Sequence, residues 1–204
     1  MVMADLSFIY GTMESGKTTK LLQDNYNYKK HGHKVMIVKP KIDSKGGNLV
    51  ITRTKDSAKV DILLDKNDSI LEKENLKDVL DAKVILVDEA QFLTHEQIVD
   101  FWKLAHIFDI GVICYGLKND FQGYLFEGTS ALLSYADTKT ELTVKCECGE
   151  TAIFNARCVN GKYTIKGNTV AIDGEADVSY VPLCGDCYLN KVVGKSKVSD
   201  IIKD

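Results

Sequence analysis

The chain has 204 residues, 45% of them hydrophobic and 27% charged, with a formal net charge of −3. That is the makeup of a soluble globular protein with one sizeable core or a core plus a small appendage, and it supplies no global pull toward nucleic acid or anionic membrane. No apolar run approaches the roughly 18 residues of a membrane span, and the first one, Leu6 to Tyr10, lacks the length and the basic leader of a signal peptide, so the expected location is cytoplasmic.

Leu6 to Tyr10 reads as a short buried strand that runs straight into a glycine loop. Lys17 to about Lys30 reads as a helix, closed by His31 and Gly32. Val35 to Val38 is a second buried strand, ended by Pro40. Residues 41–60 are polar, contain Gly46-Gly47, and read as a mobile loop flanking a short strand from Leu49 to Ile51. Asp65 to Asp81 is patterned as a helix, and Val84 to Val87 as a strand that ends in Asp88-Glu89. Thr94 is the expected cap of a helix through about Phe108, with Glu96 and Gln97 in its first turn. Val112 to Tyr115 is another strand. Apolar strands alternating with helices predict an α/β fold, a parallel sheet flanked by helices on both faces. After about Thr138 glycines cluster, Asn160-Gly161 signals a hairpin, and four cysteines come in two close pairs. The expected division is an α/β domain over 1–140 and a small metal-clipped subdomain over 141–204.

Gly11-Thr12-Met13-Glu14-Ser15-Gly16-Lys17-Thr18-Thr19 carries the pattern G-x4-G-K-[ST], with a strand before it and a helix after it. Glycines let backbone N–H groups turn inward around phosphates, and the helix N-terminus adds positive potential. Lys17 is expected to reach the β- and γ-phosphates and Thr18 to offer its hydroxyl to Mg²⁺. A carboxylate inside such a cradle would repel the phosphates, so Glu14 is expected to face outward.

Asp88 and Glu89 stand at the carboxyl end of a buried strand, the edge where α/β sheets gather ligands. Their adjacency suggests divided labour, with Asp88 on the metal side and Glu89 accepting a proton. The run Asp88-Glu89-Ala90-Gln91 also resembles a helicase-type box, but a helicase motor needs two such domains and this length accommodates one. A GTPase reading fails because Ala90-Gln91 breaks the D-x-x-G pattern and Lys118-Asn119-Asp120 is not N-K-x-D.

Six cysteines in a cytosolic setting point to metal or spare thiols before disulfides. Cys146-x-Cys148 and Cys184-x2-Cys187 form two knuckles whose four thiolates match a structural Zn²⁺ site. The first knuckle is tighter than the usual spacing, and Cys158 is an alternative ligand. Cys114, inside a predicted strand, is expected in the core.

The P-loop, "VKPKID", "VDEAQF", "GLKNDFQGYLF" and the late cysteine knuckles occur in an order that resembles the type II thymidine kinases, across nearly the whole chain. The resemblance implies a P-loop, RecA-like fold with a C-terminal zinc-binding lasso that covers the nucleoside. It implies transfer of the γ-phosphate of ATP to the 5′-hydroxyl of thymidine, with Glu89 as general base. On the nucleotide side it implies Gly11 to Thr19, Asp88 and Gln91, with Mg²⁺ near Thr18 and Asp88. Around the nucleoside it implies Met13, Asp43, Arg53, Phe92, Leu117, Phe121, Phe126, Asn155, Val170, Ile172 and Tyr180. It also implies a homotetramer or dimer, feedback inhibition by thymidine triphosphate, and no nucleic-acid or membrane partner. Asn155 stands where the family often has a threonine near the base, which leaves room for deoxyuridine or bulkier 5-substituted analogues and for a broader pyrimidine specificity. Two other readings stay open at the level of sequence. One is a P-loop ATPase with a zinc ribbon that engages nucleic acid, against which the acidic late segment "IDGEADVSYVP" speaks. The other is a relative that binds nucleotide without turnover.

Overall fold

A computed structural model describes residues 4–41, 47–72, 76–167 and 177–194, and these divide into two compact units. The first unit holds the described residues up to Tyr10, then Gly16–Lys118 and Phe126–Glu141. Its centre is a six-stranded sheet of β1 (Leu6–Tyr10), β2 (Val35–Pro40), β5 (Ile62–Leu64), β6 (Val84–Val87), β7 (Gly111–Gly116) and β8 (Thr138–Glu141), in the order β5-β2-β6-β7-β1-β8. Every pairing is parallel. A separate antiparallel pair, β3 (Leu49–Ile51) with β4 (Ser57–Lys59), completes its strands.

The near-continuous apolar runs of β2 and β6 are buried along their whole length, as strands covered on both faces must be. Alternation sends Met36, Val38, Ile85 and Val87 to one face, where they meet Ile98, Phe101 and Leu104 of α3 (His95–Phe108) and Leu132 of α4 (Glu127–Tyr135). Val35, Ile37, Val84, Leu86 and Tyr115 face the other way, toward Leu21 of α1 (Lys17–Lys30). The fully buried Tyr115 hydroxyl donates to Asp24 at 2.6 Å, and Lys20 holds the same carboxylate, so α1 is fastened to β7 by a polar bond inside an apolar layer.

β7 lies between β1 and β6 in the parallel sheet, so β1 and β6 end at the same, carboxyl edge, and Asp88 and Glu89 follow β6 there. Thr94 forms the expected cap as a full capping box with Gln97.

The helix expected over 65–81 is corrected: only α2 (Leu76–Leu80) is helical among its described residues. Asp65 and Asp68 divert the backbone into local bonds, with Asp68 accepting the N–H of Asp65 at 2.8 Å. The carbonyls of Asp65 and Asp68 are taken by the side-chain amide of Gln97 at 2.8 and 2.9 Å. A partner 29 or more residues away therefore wins over local helix propensity. β4, β5, α4 and β8 were not anticipated from the sequence; β5 and β8 are sheet-edge strands of three and four residues.

The second unit holds Gly11–Ser15, Asn119–Leu125 and the described residues from 142 onward. Its sheet is antiparallel, β10-β9-β11, with β9 at Phe154–Val159, β10 at Lys162–Tyr163 and β11 at Val178–Leu183. The predicted hairpin is present: Asn160 and Gly161, at φ 51 and 75, form a two-residue turn that needs positive φ at both positions. Among the described residues no helix is long and apolar enough to cross a membrane.

Candidate active site

In the first unit, Gly16 turns the chain at φ 80 and α1 opens on Lys17, with no acid in its first turn. The charges of Glu89 and Asp88, from the end of β6, bear on the Lys17 side chain. Burial brings its ammonium down to about 8, and the charges of Glu89 and then Asp88 hold it from falling further. Asp88 is buried and its N–H donates to the Val38 carbonyl at 2.9 Å. Burial first, and the charge of Glu89 second, push its carboxyl up to about 7, against the pull of Lys39 and Lys17. A buried acid next to a second acid ionises with difficulty, and a divalent cation relieves that strain, so the donor set suits Mg²⁺. Glu89 is half-buried and adopts φ 51 and ψ 35, a left-handed conformation that non-glycine residues visit at a cost. Gln91 donates from Nε2 to Glu89 Oε2 at 2.6 Å.

Phe92, in the 3-10 turn Ala90–Phe92, meets Phe126 edge-on with ring centroids 5.4 Å apart. Leu117 is buried just past β7. Arg53 is exposed in the turn between β3 and β4. Asp43, Val170 and Ile172 lie outside the described residues.

In the second unit, Met13 is half-buried and its N–H donates to Asn155 Oδ1 at 2.7 Å. The other end of that amide donates to the Asn119 carbonyl at 3.4 Å, so both polar ends of Asn155 serve backbone groups. Glu14 is exposed, at φ 68. Phe121 is buried with Tyr180 6.5 Å from it, centroid to centroid, and the Arg157 guanidinium 5.4 Å from its ring.

The four cysteines Cys146, Cys148, Cys184 and Cys187 come together, with all four Sγ atoms within 4.8 Å of one another. The C-x-C spacing suffices because the chain reverses tightly there: Cys146 N–H bonds the Glu150 carbonyl and Gly149 N–H bonds that of Cys146. Cys184 caps the short helix α5 (Gly185–Tyr188), which returns Cys187 to the group. Hydrogen bonding of its S–H to Cys148 and the other two sulfurs pushes the Cys187 thiol up to about 12. Burial acts against ionising Cys146, but N–H donors from Cys148 and Cys184 and neighbouring thiols outweigh it and bring Cys146 to about 7. Crowded sulfurs cannot all shed protons alone; a tetrahedral Zn²⁺ takes all four as thiolates, and the donor set fits it. Cys158 is half-buried in β9 and outside this quartet, and Cys114 is a buried core residue.

A family model described as thymidine kinase matches residues 4–188. The chain is 37% identical over 190 residues to a thymidine kinase of Francisella tularensis, an alignment that covers 89% of this chain and 95% of the relative. It is 36% identical to that of Legionella pneumophila, strain Paris, over 95% and 93% of the two chains, and 37% identical to that of Lactobacillus acidophilus over 92% and 98%. The chain belongs to the thymidine kinase family. It is an enzyme of that family with the expected parallel sheet and helices. A far looser likeness, TM-score 0.43 at 17% identity over 71% of this chain and 42% of the other, is to a replication initiator DnaA bound to AMPPCP and single-stranded DNA, and nothing is drawn from it.

For a thymidine kinase, two features of the first unit escaped the sequence reading. Lys39 is buried at the end of β2, where its charge bears on Asp88. Its signal was a lysine closing the apolar run Val35 to Val38 just before Pro40. The second is the role of Gln91, whose side chain holds Glu89; no local pattern announces it, because its other partner, Leu117, lies just past the neighbouring strand β7.

Proposed function

We propose that this chain phosphorylates thymidine, moving the γ-phosphate of ATP to the 5′-hydroxyl and giving thymidine monophosphate. The observation that carries the reading is the Lys17, Asp88 and Glu89 group at the carboxyl edge of a P-loop sheet, in a chain of the thymidine kinase family. A sugar hydroxyl is a poor nucleophile, and Glu89 is the carboxylate assigned to take its proton. Lys17 and the backbone of Gly11 to Gly16 hold the donor's phosphates, with Thr12, Met13, Glu14, Ser15 and Thr19 contributing as parts of the loop and the helix start. Thr18 and Asp88 would hold Mg²⁺, which when bound neutralises charge on the transferring phosphate.

Met13, Leu117, Phe92, Phe121, Phe126 and Tyr180 are assigned to the base and sugar, since flat apolar and thioether surfaces suit a pyrimidine. Asp43 and Arg53 are assigned to the deoxyribose and phosphates, and Val170 and Ile172 to the base. Cys146, Cys148, Cys184 and Cys187 would hold one structural Zn²⁺ that does no chemistry. A cytoplasmic homotetramer or dimer, inhibited by thymidine triphosphate, completes the proposal.

The donor interaction carries a pH signature. Phosphates favour the charged form of Lys17, whose ordinary value is lowered to about 8 before they bind. ATP affinity, measured calorimetrically without nucleoside, is expected to fall as pH rises through 8, with proton uptake on binding above it. A flat profile between pH 7 and 9.5 would contradict this.

A panel of thymidine, deoxyuridine, deoxycytidine and deoxyguanosine with ATP tests the substrate class. Thymidine is expected to give the highest kcat/KM, with deoxyuridine next, because they differ by one methyl group and such a difference is worth roughly 10–200-fold. Turnover confined to deoxycytidine or deoxyguanosine would overturn the reading.

A further inference from the structure

The amide of Gln91 is buried to within 1% exposure and has both ends committed. Nε2 donates to Glu89 Oε2 at 2.6 Å, and Oε1 accepts the N–H of Leu117 at 3.0 Å. This orientation is the one the partners demand, since a carboxylate only accepts and a backbone N–H only donates. The Leu117 carbonyl is held in turn by the buried Thr129 hydroxyl at 2.6 Å, so both backbone groups of Leu117 are fixed by side chains.

The surrounding backbone is cut to fit this bracket. A Cβ at Gly116 would stand 2.8 Å from Gln91 Oε1 and 3.1 Å from its backbone nitrogen. A Cβ at Gly128 would stand 2.4 Å from the Ala90 carbonyl oxygen and 3.0 Å from that of Gln91. Glycine at both positions therefore lets the turn that carries Gln91 sit against β7 and α4.

We propose that Gln91 is a positioning residue that locks the Glu89 carboxylate to the backbone of Leu117, so that base and acceptor-side wall keep one fixed relation. The proposal rests on the reading of Glu89 as general base and Leu117 as part of the nucleoside site. Glu89 is half-buried on a left-handed backbone, a costly conformation that persists where the surroundings over-determine it, and the Gln91 bond is one such restraint. With Oε2 bound to the amide, Oε1 is left to accept the proton of the 5′-hydroxyl. This is the arrangement in which a base is oriented by a third group. It adds a hold on the base to the nucleotide-side place that the family resemblance implies for Gln91.

The test is a double-mutant cycle with Gln91→Leu and Glu89→Gln, followed by kcat with thymidine and by equilibrium ATP binding without it. Gln91→Leu is expected to lower kcat by about 10–100-fold, the scale of a misplaced reacting group, while ATP affinity stays within about 2-fold. In the Glu89→Gln background the same substitution is expected to cost less than about 2-fold, because it acts through the group already removed. Gln91→Met, closer in shape, carries the measurement if Gln91→Leu does not fold, as checked by thermal denaturation. Equal losses in both backgrounds, or a fall in ATP affinity matching the fall in kcat, would overturn the role of Gln91 alone. A fully active Glu89→Gln enzyme would overturn the base assignment and this proposal with it.

Discussion

Glu89→Ala is expected to lower kcat by roughly 10²–10⁴-fold, the usual cost of removing a general base, while ATP still binds. The asymmetry follows from where the charges lie. The donor's phosphates are assigned to Lys17 and the loop before it, and Glu89 is assigned to the acceptor hydroxyl. Removing its charge also removes one of the two acids that hold Lys17 protonated against burial. The ammonium is then expected to titrate lower in the variant, which trims ATP affinity above neutral pH and leaves it near normal at pH 6.5. Stopped-time assays for kcat and calorimetry for ATP separate the two effects. A variant with near-normal turnover would move the base elsewhere; one that fails only to bind ATP would make Glu89 part of the nucleotide site.

The second large effect is expected at the cysteines. Cys184→Ala should reduce bound zinc from about one per chain to near zero and loosen the second unit. Structural zinc contributes on the order of 10–16 kcal/mol of apparent binding energy in small zinc-finger peptides, which is folding energy there. Here Cys184 also caps α5 and, with Cys146, sits in the small cluster of Ala152, Ala156, Leu183 and Tyr188 that is this unit's core. The Tyr188 ring stacks on Phe154, and its hydroxyl donates to the Phe121 carbonyl at 2.6 Å, so damage at the cysteines reaches the Phe121 segment. The expected readouts are loss of metal by mass spectrometry, faster proteolysis between residues 142 and 194, and a raised KM for thymidine. A wild-type protein that holds no zinc, or a variant that keeps proteolytic resistance and KM, would contradict it.

What the sequence disclosed was local. The strand before the glycine loop, α1 and the capped α3 each carry their own signals: glycines, Lys17-Thr18, and Thr94 three residues before Gln97. The two cysteine knuckles and the Asn160-Gly161 turn are likewise written into adjacent residues. What stayed hidden depends on partners far along the chain. Residues 65–68 are patterned like the start of a helix, yet Gln97 takes their carbonyls. Gln91 reads as one more residue of a nucleotide box until β6 and β7 are known to be neighbours; only then does Leu117, 26 residues on, become its second partner. Asn155 similarly gives no local hint that its amide bridges the backbone of Met13 and Asn119, 142 and 36 residues away. Continuous apolar runs disclose which strands are buried, but not which of them lie side by side.

The proposed reaction delivers the γ-phosphate of ATP to the 5′-oxygen of thymidine, with Glu89 taking the proton. The most direct measurement incubates the wild-type enzyme and Glu89→Ala with γ-labelled ATP, Mg²⁺ and either thymidine or 5′-deoxythymidine, and follows the label by chromatography. Labelled thymidine 5′-monophosphate is expected from wild type, at least about 100-fold less from Glu89→Ala, and none from 5′-deoxythymidine. Label released only as inorganic phosphate, at a rate indifferent to thymidine, would contradict it.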